Sequence, residues 1–117
     1  MKKVLVIDDD PDIVEAIQLI LTTEGYDSEV TTKGSETCQK VREYKPDVII
    51  LDILLSGNDG RTICKNLKND PRTKHIPIIM ISAHPTAKRA AKESGANSFV
   101  AKPFSVFALL TEIQKYI

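Results

Sequence analysis

The chain has 117 residues, 42% of them hydrophobic and 27% charged, which is typical of one soluble globular domain with its own core. Sixteen basic and sixteen acidic residues cancel, so we expect no direct contact with nucleic acid and no attraction to an anionic membrane. The sequence contains neither a membrane-spanning apolar run nor a secretory signal pattern, and its two cysteines lack metal-ligand spacing. These features exclude membrane insertion and favour a cytoplasmic location.

Two apolar segments, each followed by aspartate, organise the first half of the chain. Val4–Ile7 leads into aspartates at positions 8–10, and Val48–Leu51 leads into Asp52. Continuous apolar runs of this length are typical of strands buried on both faces of a parallel sheet. Between them the sequence predicts a helix from Pro11 to Glu24, a polar edge strand at Ser28–Thr31 and a helix at Gly34–Tyr44.

The second half continues the alternation of strands and helices. Its predicted elements are a loop at Gly57–Gly60, a helix at Gly60–Asn69, a strand at Pro77–Ile81, a helix at Thr86–Ser94, a strand at Ser98–Ala101 and a closing helix that carries Val106 to Ile117. The helix at Thr86–Ser94 has only alanines to bury. Five strand–helix alternations with short connections predict a doubly wound parallel sheet, covered by helices on both faces.

Polar side chains follow the predicted strands where each strand ends, and in such a sheet these ends meet at one edge. The residues concerned are Asp8, Asp9, Asp52, Ser82 and Lys102. Three neighbouring carboxylates repel one another unless cations lie among them, and Mg²⁺ prefers carboxylate oxygens. A carboxylate nucleophile, a lysine and a hydroxyl are also the groups that phosphoryl transfer requires. Each residue alone has an ordinary explanation as a cap, a turn former or a surface lysine, so the prediction depends on their combination.

Four short stretches carry a family resemblance. They are Val6–Asp9, Asp59-Gly60 downstream of Asp52, Ile81–Ala83 and Phe99–Phe104. In this order and spacing the chain resembles a response regulator receiver domain of two-component signalling, in the CheY-like superfamily, over nearly its full length. The resemblance implies a flavodoxin-like fold in which residues 1–117 form a single receiver domain, with a five-stranded sheet in the order 2-1-3-4-5.

The resemblance also implies roles for the acidic residues. Asp52 would be the phosphoacceptor. Asp9, Asp52 and the backbone carbonyl of Leu54 would bind Mg²⁺, and Asp8 would hold a metal-bound water. The protein would catalyse only its own phosphorylation and dephosphorylation, so we expect no enzyme activity toward other substrates.

Further roles concern the ends of the last two strands. By the resemblance, Ser82 and Lys102 would contact the phosphoryl group, and Phe99 would be the switch aromatic. Ala83 matches the small residue that leaves space beside the phosphate. The peptide bond before Pro103 would be cis.

Two side chains are expected to overhang the path of a hydrolytic water. They are Leu54, two residues beyond the acceptor, and His84, two residues beyond Ser82. Leu54 cannot orient a water, so we expect slow loss of the phosphoryl group. The alternative is that Leu54 packs at the base of the loop and that Pro85 turns a solvated His84 outward.

The expected partners are a sensor histidine kinase or phosphotransfer protein and, on the surface of the fourth helix, last strand and last helix, an output partner or second copy. Two other functions stay open: a small aspartyl-phosphate hydrolase, and a degenerate receiver used as a scaffold. Leu54 argues against a hydrolase, because such enzymes resemble one another in carrying a second aspartate there. A dinucleotide-binding enzyme is a weaker alternative still, because no Gly-x-Gly-x-x-Gly pattern follows Ile7. The sequence fits a stand-alone regulator and a piece of a larger protein equally well.

Overall fold

The computed structural model describes residues 1–55, 57–84 and 86–117, and its centre is a five-stranded parallel sheet. The strands, in chain order, are β1 Lys3–Ile7, β2 Asp27–Thr31, β3 Val48–Asp52, β4 Ile78–Ser82 and β5 Ser98–Ala101. Their order in the sheet is β2-β1-β3-β4-β5, as predicted. The polar strand β2 lies at an edge, where half-exposed residues are tolerated.

Within the described residues, five α-helices connect and cover the strands. They are α1 Pro11–Thr23, α2 Thr37–Tyr44, α3 Gly60–Asn69, α4 Ala87–Glu93 and α5 Val106–Gln114. Asp10 caps the start of α1, because its carboxylate accepts a hydrogen bond from the Asp12 amide. Among the described residues, no helix is long and apolar enough to cross a membrane.

The sheet separates two apolar cores, which explains why β3 is buried along its whole length. Leu51 and Ile49 face one core, with buried residues of α2, α3 and α4. Ile50 and Val48 face the other, with buried residues of α1 and α5. Because successive side chains of a strand point to opposite faces of the sheet, one apolar run packs against the helices on both faces.

Four predicted elements differ clearly from the structure. Helix α5 ends at Gln114, three residues before the predicted Ile117. Residues 34–36 form a 3₁₀ turn before α2, so the α-helix begins three residues later than predicted. The predicted loop after β3 contains Asn58–Asp59, a short strand antiparallel to Leu54–Leu55. Helix α4 is two residues shorter than predicted, because Thr86 and Ser94 are its caps. These local differences leave the sheet and its strand ends unchanged.

Candidate functional site

The carboxyl ends of β1, β3, β4 and β5 bring the predicted polar residues to one edge of the sheet. Asp8 follows β1 and is fully buried, while Asp52 ends β3 and is 5% exposed. Ser82 ends β4 and is 2% exposed, and Lys102 follows β5 and is half-buried. Parallel pairing in register places these strand ends side by side.

The three aspartates form a compact set of oxygen ligands. One carboxylate oxygen from each of Asp8, Asp9 and Asp52 lies within 4.8 Å of the others. Hard oxygen donors at this separation suit a divalent cation such as Mg²⁺, which binds through one or two carboxylates and retains waters. The donor set therefore fits the metal that the sequence predicts.

Lys102 supplies positive charge to this cluster. Its Nζ lies 2.7 Å from Asp8 Oδ2 and 3.4 Å from Asp52 Oδ2. Burial favours the neutral amine, but the hydrogen bond to Asp8 and the charge of Asp52 outweigh it and raise the pKa of Lys102. The lysine therefore stays charged beside the two carboxylates. The Lys102–Pro103 peptide bond is cis, as predicted.

The pKa of Asp52, the candidate phosphoacceptor, is strongly shifted. Burial, reinforced by the charge of Asp8, raises the pKa of Asp52 from its ordinary value of 3.8 to about 6. Lys102 and the Leu54 amide, whose N lies 3.4 Å from Asp52 Oδ1, oppose the shift without cancelling it. An ionised Asp52 is thus poorly compensated within the protein, which is the environment that a bound cation relieves.

Ser82 and His84 shape the adjoining loop. The Ser82 hydroxyl oxygen accepts the His84 amide at 3.1 Å, so its proton remains available to another acceptor. The Ser82 carbonyl accepts the Lys102 amide at 2.9 Å, which ties the lysine to β4. His84 Nδ1 lies 3.2 Å from the Thr86 amide nitrogen and 2.8 Å from its hydroxyl. The predicted role of Pro85 concerns a residue outside the described part of the chain.

A cleft of about 380 Å³ opens over the acceptor. Its lining residues are Asp52, Leu54, Ser82, Ala83, His84 and Lys102. Leu54 is 62% exposed, so it does not pack into the base of the loop as the alternative interpretation required. His84 is exposed but borders the same cleft. Phe99 is half-buried against the core beneath α2, α3 and α4 and lies outside the cleft lining.

The contact between the start of α3 and the end of β3 was not anticipated from the sequence. The Gly60 amide donates to the Ile53 carbonyl at 2.8 Å, so the start of α3 lies directly against the end of β3. The only sequence feature related to this contact is the Asp59-Gly60 pair, which belongs to the family resemblance. A glycine in a loop does not by itself predict such a contact, because glycine is common in turns of many kinds.

Comparisons with known proteins agree with this geometry. The family model for the response regulator receiver domain matches residues 4–114. The chain belongs to this receiver domain family. MtrA, a DNA-binding response regulator of Mycolicibacterium smegmatis, is 35% identical over 115 residues, which cover 97% of this chain and 49% of MtrA. The receiver domain is also similar in structure to the Vibrio cholerae chemotaxis protein CheY4, with 30% identity and a TM-score of 0.92, covering 100% of this chain and 99% of CheY4.

A second relative bears on the question of nucleic acid. RpaA of Synechocystis, a DNA-binding dual master transcriptional regulator, is 34% identical over 116 residues, covering 97% of this chain and 48% of RpaA. This receiver domain thus spans about half the length of MtrA and RpaA. The prediction of no nucleic-acid contact rests on composition alone, and these DNA-binding relatives do not support it.

Proposed function

We propose that this receiver domain accepts a phosphoryl group on Asp52 and acts as a signalling switch. The single observation that carries the proposal is the buried Asp52 carboxylate, grouped with Asp8 and Asp9 and 3.4 Å from the Lys102 ammonium. The donor would be the phosphohistidine of a sensor histidine kinase or phosphotransfer protein. Residues 1–117 would form one receiver domain that works in the cytoplasm.

In the proposed transfer, an Asp52 oxygen attacks the donor phosphorus. The P–O bond of an acyl phosphate forms as the P–N bond breaks, and the electron pair of that bond returns to the donor imidazole. Lys102 offsets charge on the phosphoryl oxygens, and the Ser82 hydroxyl donates to one of them. Ala83, with its single methyl group, leaves space beside the group.

Mg²⁺ would be held by Asp9 and Asp52, with the Leu54 carbonyl as a further ligand and Asp8 through a water. When bound, the cation would reduce the repulsion between the acidic cluster and the incoming phosphoryl group. The close grouping of the three carboxylates and the raised pKa of Asp52 support this assignment.

The signal would be read on the surface formed by α4, β5 and α5. Phosphorylation would shift the side-chain positions of Ser82 and Phe99, which belong to the strands next to α4. On α5, Phe107 is 80% exposed and Val106 is 50% exposed, so this surface offers apolar area to an output partner or second copy.

The hydrolase alternative is weakened by the chemistry of the cleft. Leu54 lines it two residues beyond Asp52, and its side chain cannot transfer a proton. We therefore propose that the domain does not turn over separate substrates. The scaffold alternative is weakened because Asp9, Asp52, Ser82 and Lys102 are all present.

The test is covalent labelling with a small acyl phosphate donor. We expect stoichiometric labelling that requires Mg²⁺, is abolished by Asp52→Asn and is strongly reduced by Asp9→Asn. Asp12→Asn, which changes an exposed aspartate on α1, is the matched control and should label normally. Equal labelling in excess chelator would overturn the mechanism, multiple turnover would favour the hydrolase, and an unlabelled wild-type protein would favour the scaffold.

A further inference from the structure

A second cavity lies at the opposite edge of the sheet from Asp52. It has a volume of about 530 Å³, compared with about 380 Å³ for the cleft over the acceptor. It lies between the end of α2 and the segment that precedes β4. This volume is within the range of small-molecule sites.

Buried, mainly apolar residues line its interior. Val41, Thr73 and Ile76 are each 5% exposed or less. Pro46 is also buried, and Pro77 is half-buried. A ligand that enters the cavity therefore contacts mostly hydrocarbon, which favours an apolar body.

Hydrogen bonds hold the wall of the cavity in place. The Thr73 hydroxyl donates to the Leu67 carbonyl at 2.7 Å, and Lys68 Nζ donates to the Ile76 carbonyl at 2.8 Å. The Pro77 carbonyl accepts the Ile49 amide at 3.0 Å. These bonds are all made within the protein, so a ligand need not order the wall of the cavity.

The mouth of the cavity is basic. Arg42 and Lys45 line it, and within residues 1–55, 57–84 and 86–117 neither forms an ion pair. Arg72 also lines it, but its guanidinium is paired with Asp70 at 2.8 Å. The lining acid, Asp47, accepts the Lys3 amide at 2.8 Å and keeps its negative charge. The cations among the lining residues, Arg42, Lys45 and Arg72, outnumber this acid, so the mouth still favours an anionic group.

Lys45 has an unusual backbone conformation. Its φ is 53°, in the left-handed region, and its amide caps α2 by donating to the Val41 carbonyl at 3.0 Å. Glycine or asparagine adopts this conformation at lower cost. A lysine there places a cation at the mouth of the cavity. Both Arg42 and Lys45 also interact favourably with the carbonyl end of α2, which stabilises the helix whether or not a ligand binds. A role in helix stability and a role in ligand binding therefore have to be measured separately.

We propose that this cavity binds a small organic anion whose apolar body enters the interior and whose carboxylate or phosphate pairs with Arg42 and Lys45. The cavity lies at the amino ends of β3 and β4, whose carboxyl ends carry Asp52 and Ser82. Five residues of strand, about 15 Å, separate the two sites. The ligand therefore does not compete with phosphorylation for space.

The test is titration of ¹⁵N-labelled protein with 2-naphthoate, and with the neutral 2-naphthamide as the matched ligand. We expect saturable amide shifts at Val41, Thr73 and Ile76 with naphthoate. Arg42→Gln should weaken naphthoate binding about fivefold, the effect of one partly exposed ion pair, and leave naphthamide binding unchanged. Lys2→Gln, which removes an exposed cation elsewhere, is the control and should change neither.

Lys45→Gly separates binding from the structural role of the lysine. It removes the cation but suits the left-handed conformation, so we expect unchanged or greater stability together with weaker naphthoate binding. Asp52→Asn should leave the affinity unchanged. The proposal would be overturned if the acid and the amide bind alike, if the shifts centre on Phe107 and α5, or if naphthoate causes no saturable shift.

Discussion

Gly60 lies so close to Asp52 that a Cβ on Gly60 would overlap the Asp52 backbone carbonyl oxygen. The same atom would be 2.8 Å from Ile53 Cα, so the obstacle is backbone rather than a flexible side chain. The start of α3 and the end of β3 therefore share a close backbone contact beneath the acceptor. The absence of a side chain at position 60 is what allows this contact.

We predict that Gly60→Ala destabilises the protein by at least about 2 kcal/mol, because neither backbone segment can move without disturbing a helix or a buried strand. Urea denaturation measures this free energy of unfolding. The control is Gly25→Ala, where a Cβ meets nothing within 4 Å but φ is +85°, and the expected loss is about 1 kcal/mol. Similar losses at both positions would contradict the close-contact explanation.

The raised pKa of Asp52 predicts a pH-dependent stability. The folded protein holds this proton up to about pH 6, while the unfolded chain releases it near the ordinary value of 3.8. The ionised carboxylate therefore lowers stability above about pH 6, and this penalty fades as the pH falls from 6 to 4. In chelator at pH 7.5, Asp52→Asn should be more stable than wild type by about 1–2 kcal/mol.

Denaturation of both proteins across this pH range checks the sign. The stability gain of Asp52→Asn should shrink toward pH 4. Glu15→Gln, an exposed change on α1, should show no such trend. If Asp52→Asn is less stable than wild type at pH 7.5, the carboxylate is not destabilising and the explanation fails.

Leu54 is predicted to prolong the phosphorylated state. Its exposed side chain borders the cleft and can shield the phosphorus but cannot hydrogen-bond a water. Leu54→Asn should accelerate loss of label about fivefold, the effect of one hydrogen bond of about 1 kcal/mol to the attacking water. Leu54→Ala removes the shield over the phosphorus but supplies no group that orients a water. It should therefore accelerate loss of the label less than Leu54→Asn does. If Leu54→Asn loses the label at the wild-type rate or more slowly, Leu54 does not prolong the phosphorylated state.

Helix α4 should be the least firmly docked helix. Its buried side chains are Ala87 and Ala91, whereas α1 buries Val14, Ile17 and Leu21. A buried methyl contributes about 0.8 kcal/mol, against two or three times as much for a leucine. Hydrogen exchange should therefore be faster in α4 than in α1. Equal protection of the two helices would contradict a switching role for α4.

The sequence alone determined the sheet, its burial and the convergence of the acidic residues. Apolar runs such as Val48–Leu51 report strands buried on both faces, and parallel connectivity requires their carboxyl ends to share an edge. The strand order and the cis bond before Pro103 came from the family resemblance, and both are confirmed. These features follow from local periodicity or from short motifs.

Only the tertiary structure decided the contacts between distant parts of the chain. The 2.7 Å contact of Lys102 with Asp8 joins residues 94 positions apart, and no pattern indicates that the lysine lies closer to Asp8 than to Asp52. The approach of Gly60 to Asp52 and the cavity beside Lys45 are likewise absent from any periodicity. Periodicity records which face of an element is buried, whereas such distances depend on how packed elements meet.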